Sequence, residues 1–418
     1  MNSTPRALML FAFLISVAAS VSAQDIDWTR IYGGPIEDRA VTIEAVPGGG
    51  YYLLGNVRTD DGFLHMRLYR LNADGDSLWA VTLGHVASDL AVTADGGCVV
   101  LGQAGDVPGS MHILLVEIAA NGHVVDSVGV YAPLDEWAHD IERTLDGGFV
   151  LCGERVYPEG VDIWVVRLDE DYNTLWEYRG GGDWVDGAVA VKPLLDGGVV
   201  LGGYQGLHDD TAMPYIVRLD EQGEEVWSRM YMCDSVYVRT FTVAANGDLV
   251  LGGIYSRGPY YPFKHPWMLR CASNGDSLWT GTYDYDIAGF DRLYPLSDGS
   301  IFAYGHQGEY LYASSLAIQV GLDGTNLWAH NQKIDGYLTW GAACDVSSMQ
   351  VDSSFVACGT FGYWDIHPDS MDMFVMKMQH NDYQLTGPRV RVLPEPVPFA
   401  YAYLVTDTVG VDIFVGEF

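Results

Sequence analysis

Seven copies of one pattern run through this chain, and that repetition limits its fold more than any other feature. A turn dipeptide, an apolar run and a glycine recur. They run from Gly48-Gly49 to Gly55, Asp95-Gly96 to Gly102, Asp146-Gly147 to Gly153 and Asp196-Gly197 to Gly203. Asn246-Gly247 to Gly253, Asp298-Gly299 to Gly305 and Asp352-Ser353 to Gly359 complete the set. The closing glycines are 47, 51, 50, 50, 52 and 54 residues apart. A second pattern follows each: a basic or polar residue, an apolar one, a turn and then Trp, ending at Trp79, Trp176, Trp227 and Trp279, with a shorter version at Trp328. The second unit ends at Asp126 and the seventh at Thr386 instead. Tyr172 stands where the other second turns carry Gly75, Gly122, Gly223, Gly275 or Gly324, so that turn is expected to differ or to be strained.

Each unit divides into four short stretches with strand character. The first two alternate apolar and polar residues around an Asp-Gly-type turn, a strong hairpin signal. No stretch keeps a helical period. Four strands and a Trp per unit of about 40–50 residues describe propeller blades. The expected fold is all-β: a single seven-bladed β-propeller with four antiparallel strands per blade. A lone blade cannot bury both faces, whereas stacking around a closed ring can. The repeated Trp are therefore read as packing residues. The repeated Arg70, Arg167, Arg218 and Arg270 are read as stems laid over the blade, with their heads in solvent or paired to carboxylates. Trp28 to Gly34 matches a fourth strand without the first three, and the last unit shows three clear strands. The N-terminal strand is thus expected to complete the last blade, near Met373–Met378. Its competitor, 385–393, contains Pro388, which restricts it to an edge.

The pattern carried by Trp28, Tyr32 to Gly34, Asp38, Asp95 to Gly97, Asp146 to Gly148, Arg167 to Asp169 and Trp176 resembles secreted bacterial β-propeller repeat proteins. The resemblance covers about residues 28–386. It implies the architecture and says little of function, because that family is mostly uncharacterised. Its members often carry a C-terminal sorting module, for which the tail here is too short.

Residues 8–21 are uncharged and mostly apolar, Arg6 precedes them, and Val21-Ser22-Ala23 offers small residues for a peptidase. This reads as a secretory signal, residues 1–23, cleaved after Ala23. Residues 24–386 would form the propeller and 387–418 a tail. The apolar run is short of the roughly 18–20 residues that span a bilayer, and no later run is longer, so no membrane span is expected. With 22 Lys+Arg against 55 Asp+Glu the net charge is −33. That excludes nucleic acid as a partner, since phosphate contacts need clustered cations. It also favours a ligand that is neutral, cationic or bridged by a divalent cation. The six Cys, an even number, permit disulfides outside the cytoplasm, but most stand where related units carry apolar residues, so buried thiols are expected. The best candidate pair is Cys344–Cys358. A monomer is expected.

Function in such a fold belongs to the longer connections, on the face opposite the tight Asp-Gly turns. Candidate ligand-binding residues there are Trp137, Trp184, Tyr237, Tyr260, Tyr261, Tyr310, Trp340 and Trp364, because aromatic rings beside polar groups suit sugars or peptides. Asp38, Asp89, Asp140, Asp186 and Asp291 precede first strands and would ring the channel mouth. They are read as acceptors of backbone N–H groups rather than as a cation site. Asp169 to Asn173 begins like a calcium loop but lacks its Gly and final Glu. No metal and no cofactor is expected. Nucleophile-elbow, zincin and phosphate-loop motifs are absent. The leading expectation is a secreted binding or scaffold module for a polysaccharide or protein. One alternative is a carboxylate-dependent glycan hydrolase or lyase, with Asp183 and Asp186, or Asp209 and Asp210, as acid pairs. Another is a purely structural surface component.

Overall fold

The computed structural model describes residues 26–34, 36–105, 112–130, 135–182, 184–206, 212–233, 236–256, 264–285, 288–308, 314–332, 343–346, 354–362, 371–379, 401–403 and 414–416. Seven four-stranded antiparallel sheets follow one another around a ring. Blade 1 is Asp38–Ala45, Tyr51–Arg58, Leu64–Leu71 and Ser77–Thr82. Blades 2 to 6 repeat that meander from Val86, Glu136, Asp186, Val236 and Ala288. Blade 7 takes Ala343–Val346, Ser354–Gly362 and Met371–Gln379 from the end of the chain and Ile26–Tyr32 from its start. That last strand pairs Trp28 with Lys377 and Tyr32 with Met373, so the ring closes as the sequence predicts. The first strands adjoin one another and line the centre. In the tail, Tyr401–Tyr403 pairs with Phe414–Gly416.

The repeat residues act between blades. Were Gly75 given a Cβ, it would lie 2.6 Å from the Trp28 ring; at Gly223 the same distance separates it from Trp176. Trp28, Trp79, Trp176 and Trp227 each lie on the second tight turn of the next blade, and only Gly leaves room for the ring there. The indole N–H of Trp176 donates to the Glu221 carbonyl at 3.0 Å and that of Trp279 to Leu322 at 2.8 Å. Four residues on, and on the same strand face, Tyr231 donates to the Gly275 carbonyl at 2.7 Å and Tyr283 to Gly324 at 3.2 Å. The W-x-x-x-Y spacing is one grip on the neighbouring turn.

The two irregular units explain each other. Blade 2 has Asp126 in place of Trp, so the next turn need not be glycine. Tyr172 adopts φ 64° there. It keeps the left-handed turn geometry at some strain. Its ring stacks on Phe149 at 5.6 Å, and its hydroxyl donates to Glu117 of blade 2 at 2.8 Å. Tyr172 thus reaches back to do what a blade-2 Trp would have done by reaching forward.

Arg167, Arg218 and Arg270 pair with carboxylates, one of the two arrangements expected, and the arginines bond backbone carbonyls as well. Arg167 donates to the carbonyls of Phe149 at 3.0 Å and Leu168 at 2.6 Å and pairs with Asp146 of the Asp-Gly turn. Arg270 is fully buried and bonds Asp248 at 2.8 Å and the Gly299 carbonyl at 2.9 Å. Each cation pins the first hairpin turn to the third strand. The calcium-like loop is an Asx turn, with Asp169 accepting from the amides of Asp171 and Asn173. Cys98, Cys152 and Cys271 are buried thiols, and burial raises Cys98 and Cys271 to about 12. The Cys344 side chain lies outside the described residues.

Candidate functional site

Every described first strand carries one extra residue near its start. In blade 3 the pairing steps from Ala138–Gly153 to Asp140–Cys152, leaving His139 as the bulge. Blades 5 and 6 place Arg239 and Asp291 there. The bulge drives a carbonyl toward the second strand. A Cβ at Gly153 would sit 1.9 Å from the Trp137 oxygen, and one at Gly305 equally close to the Gly289 oxygen. The closing glycines are therefore the imprint of a bulge on the partner strand. Bulges re-aim side chains: His139, Arg239 and Asp291 take such positions near the starts of inner strands, at the end of the blade that carries the longer connections, while Val41 and Val189 pack into the core between blades.

Two clusters are built there. Between blades 3 and 4, Tyr204 donates to Glu154 Oε1 at 2.5 Å, and His139 Nε2 lies 3.6 Å from the same oxygen. Burial opposes the Glu154 charge, yet the bonds from His139 and Tyr204 outweigh it and hold the carboxyl below its usual range. Burial and the facing carboxylate raise the Tyr204 hydroxyl. Gly187 makes the contact possible, since a Cβ would meet Glu154 at 2.4 Å and the Tyr204 ring at 2.7 Å. Between blades 5 and 6, Asp291 is only 6% exposed at its side chain, its Oδ1 forms an ion pair with Arg239 Nη2 at 2.8 Å without hydrogen-bond geometry, and its Oδ2 lies 2.7 Å from His306 Nδ1. The Arg239 and His306 side chains are 42% and 20% exposed.

Deeper in the channel, Lys192 pairs with Glu142 and lies 3.8 Å from Asp140. Burial opposes the ammonium charge, but Asp140 and Glu142 prevail and raise its pKa. Arg292 of blade 6 adds positive potential at Glu142 of blade 3. Opposite charges thus face one another across the inner strands.

The five aspartates do not form one ring. Asp38 and Asp186 begin first strands and accept the amides of Gly34 and Gly182, as expected of acceptors at a tight turn. Asp89 and Asp140 lie past the bulge and accept the amides of Ile141 at 3.1 Å and Val191 at 2.8 Å from the next blade. Asp291 is the bulge itself. Because one residue is inserted between these positions, even spacing in sequence does not give equivalent places. Among the described residues no His, Cys, Asp and Glu cluster is arranged to hold a metal.

Of the aromatic candidates, Tyr237 starts the inner strand of blade 5 and is 65% exposed, and Trp184 precedes blade 4 and is 43% exposed. Trp137 is half-buried beside His139. Tyr260, Tyr261, Tyr310, Trp340 and Trp364 lie outside the described residues, as do Asp183, Asp209 and Asp210. The connection in blade 3 is tight rather than long, since Tyr157 pairs with Gly160. Sequence reasoning missed Glu154, Tyr204, Arg239 and His306. A usable signal was present, because Glu154, Tyr204 and His306 each follow a closing glycine.

No protein-family model matches the chain, and no curated protein sequence matches it. Solved structures do share its fold. The polysaccharide lyase Uly1 superposes with a TM-score of 0.51 at 12% identity, over 87% of this chain and 94% of that one. BBS1N, solved in complex with ARL6DN, gives 0.50 at 9% identity, over 84% and 96%. The β-propeller domain of the Trilobed protease from Pyrococcus furiosus gives 0.47 at 11%, over 84% and all of that chain. Fold and comparisons together define the class, a seven-bladed β-propeller, and identities this low carry the fold alone. Among the described residues no helix is long and apolar enough to cross a membrane.

Proposed function

We propose that the protein is a secreted binding module that holds an extracellular polysaccharide at the loop-face mouth of its channel. The observation that carries this reading is Tyr237. It is a large ring, 65% exposed, on an innermost strand rather than on a loop. A ring fixed on a strand is preorganised for stacking. The hydrogen-bonding groups of His139, Arg239 and His306 on neighbouring mouth positions suit sugar hydroxyls. Export rests on the apolar segment and small-residue site at residues 8–23. One neighbour in fold is named as a polysaccharide lyase and another is in complex with a protein, so the architecture serves both kinds of ligand. The polar and aromatic mouth favours the sugar.

Native affinity electrophoresis through gels containing neutral or acidic polysaccharides tests the reading. At least one polymer should retard the protein. Tyr237→Ala and Trp184→Ala should each weaken retardation by roughly 5- to 150-fold, the 1–3 kcal/mol typical of one stacked ring. Retardation by no polymer, or unchanged retardation of both folded variants, would refute it.

A further inference from the structure

We propose that the cluster of His306, Asp291 and Arg239 is an eliminative active site that cleaves uronic-acid polysaccharides. The substrate class rests on the binding reading above; the chemistry rests on the cluster itself. Asp291 is almost wholly buried and holds His306 by Nδ1 at 2.7 Å. A carboxylate on Nδ1 fixes the tautomer with the lone pair on Nε2, the arrangement that makes an imidazole a general base. Among the described residues no partner is recorded for Nε2. The ring stands near the end of the second strand of blade 6, and the buried Ile254 side chain fills the space over Gly289 next to it, 2.4 Å from where a Cβ would stand, so that Ile254 walls one side of the imidazole. The same aspartate anchors Arg239 through Nη2 at 2.8 Å. Its other donors, Nε and Nη1, lie on a side chain 42% exposed, and the forked edge that Asp291 does not occupy remains to take a carboxylate.

A base beside a carboxylate-binding guanidinium is what β-elimination from a uronate requires. Arg239 binds the sugar carboxylate and stabilises the charge that builds as the neighbouring C5 proton leaves. His306 Nε2 takes that proton. The C5–H electron pair forms the C4=C5 double bond, and the C4–O bond breaks. The leaving oxygen takes the proton back from the imidazolium on the same side. Atoms and electrons balance with no co-reactant. The acidity of the whole chain does not forbid an anionic substrate. Charges farther than roughly 8–10 Å are largely screened at physiological salt, and the exposed group beside the base is the cation Arg239, 42% exposed.

The test incubates the purified protein with polygalacturonate, alginate, glucuronan and a neutral β-glucan. It reads both the ultraviolet absorbance of the unsaturated uronate and the new reducing ends. Absorbance should rise with at least one acidic polymer and not with the glucan. His306→Gln should lower kcat by about 10²–10⁴-fold, and Arg239→Gln should raise KM as well, with melting curves showing both variants folded. Release of the chromophore by the wild-type protein is a measurement that no folding defect can imitate. Reducing ends without the chromophore would mean hydrolysis and would overturn the proposal. So would retention of an acidic polymer without any cleavage, which would leave the binding reading standing. Full activity in folded His306→Gln would also overturn it. Cleavage with unchanged retention of Tyr237→Ala and Trp184→Ala would instead remove the aromatic binding reading and keep this one.

Discussion

The pairing of Asp126 with Tyr172 can be tested by putting the common residues back. In the regular blades a Cβ on the turn glycine would lie 2.6–3.0 Å from the preceding Trp ring. A Trp at 126 and a side chain at 172 therefore compete for one volume. Asp126→Trp alone should overpack the junction and cost about 1–3 kcal/mol. Tyr172→Gly alone loses a stacked ring, about 0.5–1.5 kcal/mol, and a hydrogen bond to a carboxylate worth about 1.5–3 kcal/mol. It regains about 1–2 kcal/mol of left-handed strain, for a net loss of about 2 kcal/mol. The double variant rebuilds the ordinary Trp-on-glycine contact and should be at least as stable as the parent. The coupling energy from the four proteins, measured by chemical denaturation, should thus be about 3–5 kcal/mol in favour of the pair, the sum of the two single losses. Additivity within about 0.5 kcal/mol would show that the two positions share no space, and would sink the account of the irregular blades.

At the seam, Trp28→Ala should cost about 2–4 kcal/mol, the range for a large core ring only partly exposed, and removing residues 24–33 should lower the melting temperature much further. A truncated protein that melts like the parent would count against closure by this strand. The seam should also respond to pH. Burial, and then the neighbouring Asp372 carboxylate, raise Asp38 from 3.8 to about 6. A carboxyl whose folded pKa is raised binds its proton more tightly when folded, so stability falls as pH climbs from about 4 to 6. The parent should lose up to about 3 kcal/mol relative to Asp38→Asn over that window. Parallel pH–stability curves for the two proteins would refute it.

The architecture was legible because each blade announces itself locally. A turn glycine, a closing glycine and a Trp are all forced by contacts with near neighbours or with the identical place on the next blade. The same argument placed Trp28 in the last blade, since a fourth-strand motif without a blade must complete one elsewhere. The mouth was harder to read. His306 meets Asp291 across a hairpin, and Arg239 reaches it from the preceding blade, so no spacing within one unit announces the cluster. The aspartates were misaligned for a related reason. A bulge adds one residue to the inner strand, and its only trace in the sequence is the glycine it forces on the partner strand.

The closing strand also sets the order in which the molecule can be made. Trp28 and Lys377 are partners 349 positions apart. Closing a loop of that length costs on the order of 5 kcal/mol of chain entropy, against about 1–2 for a short hairpin. During synthesis the first strand to appear is the last to find its place, and it waits as an unpaired β edge while six blades assemble behind it. A nascent chain crowded by its siblings therefore meets a second solution of identical chemistry: each copy can lend its opening strand to the last blade of another. Concentration during biogenesis, rather than the strength of any single contact, decides between a closed ring and a chain of rings.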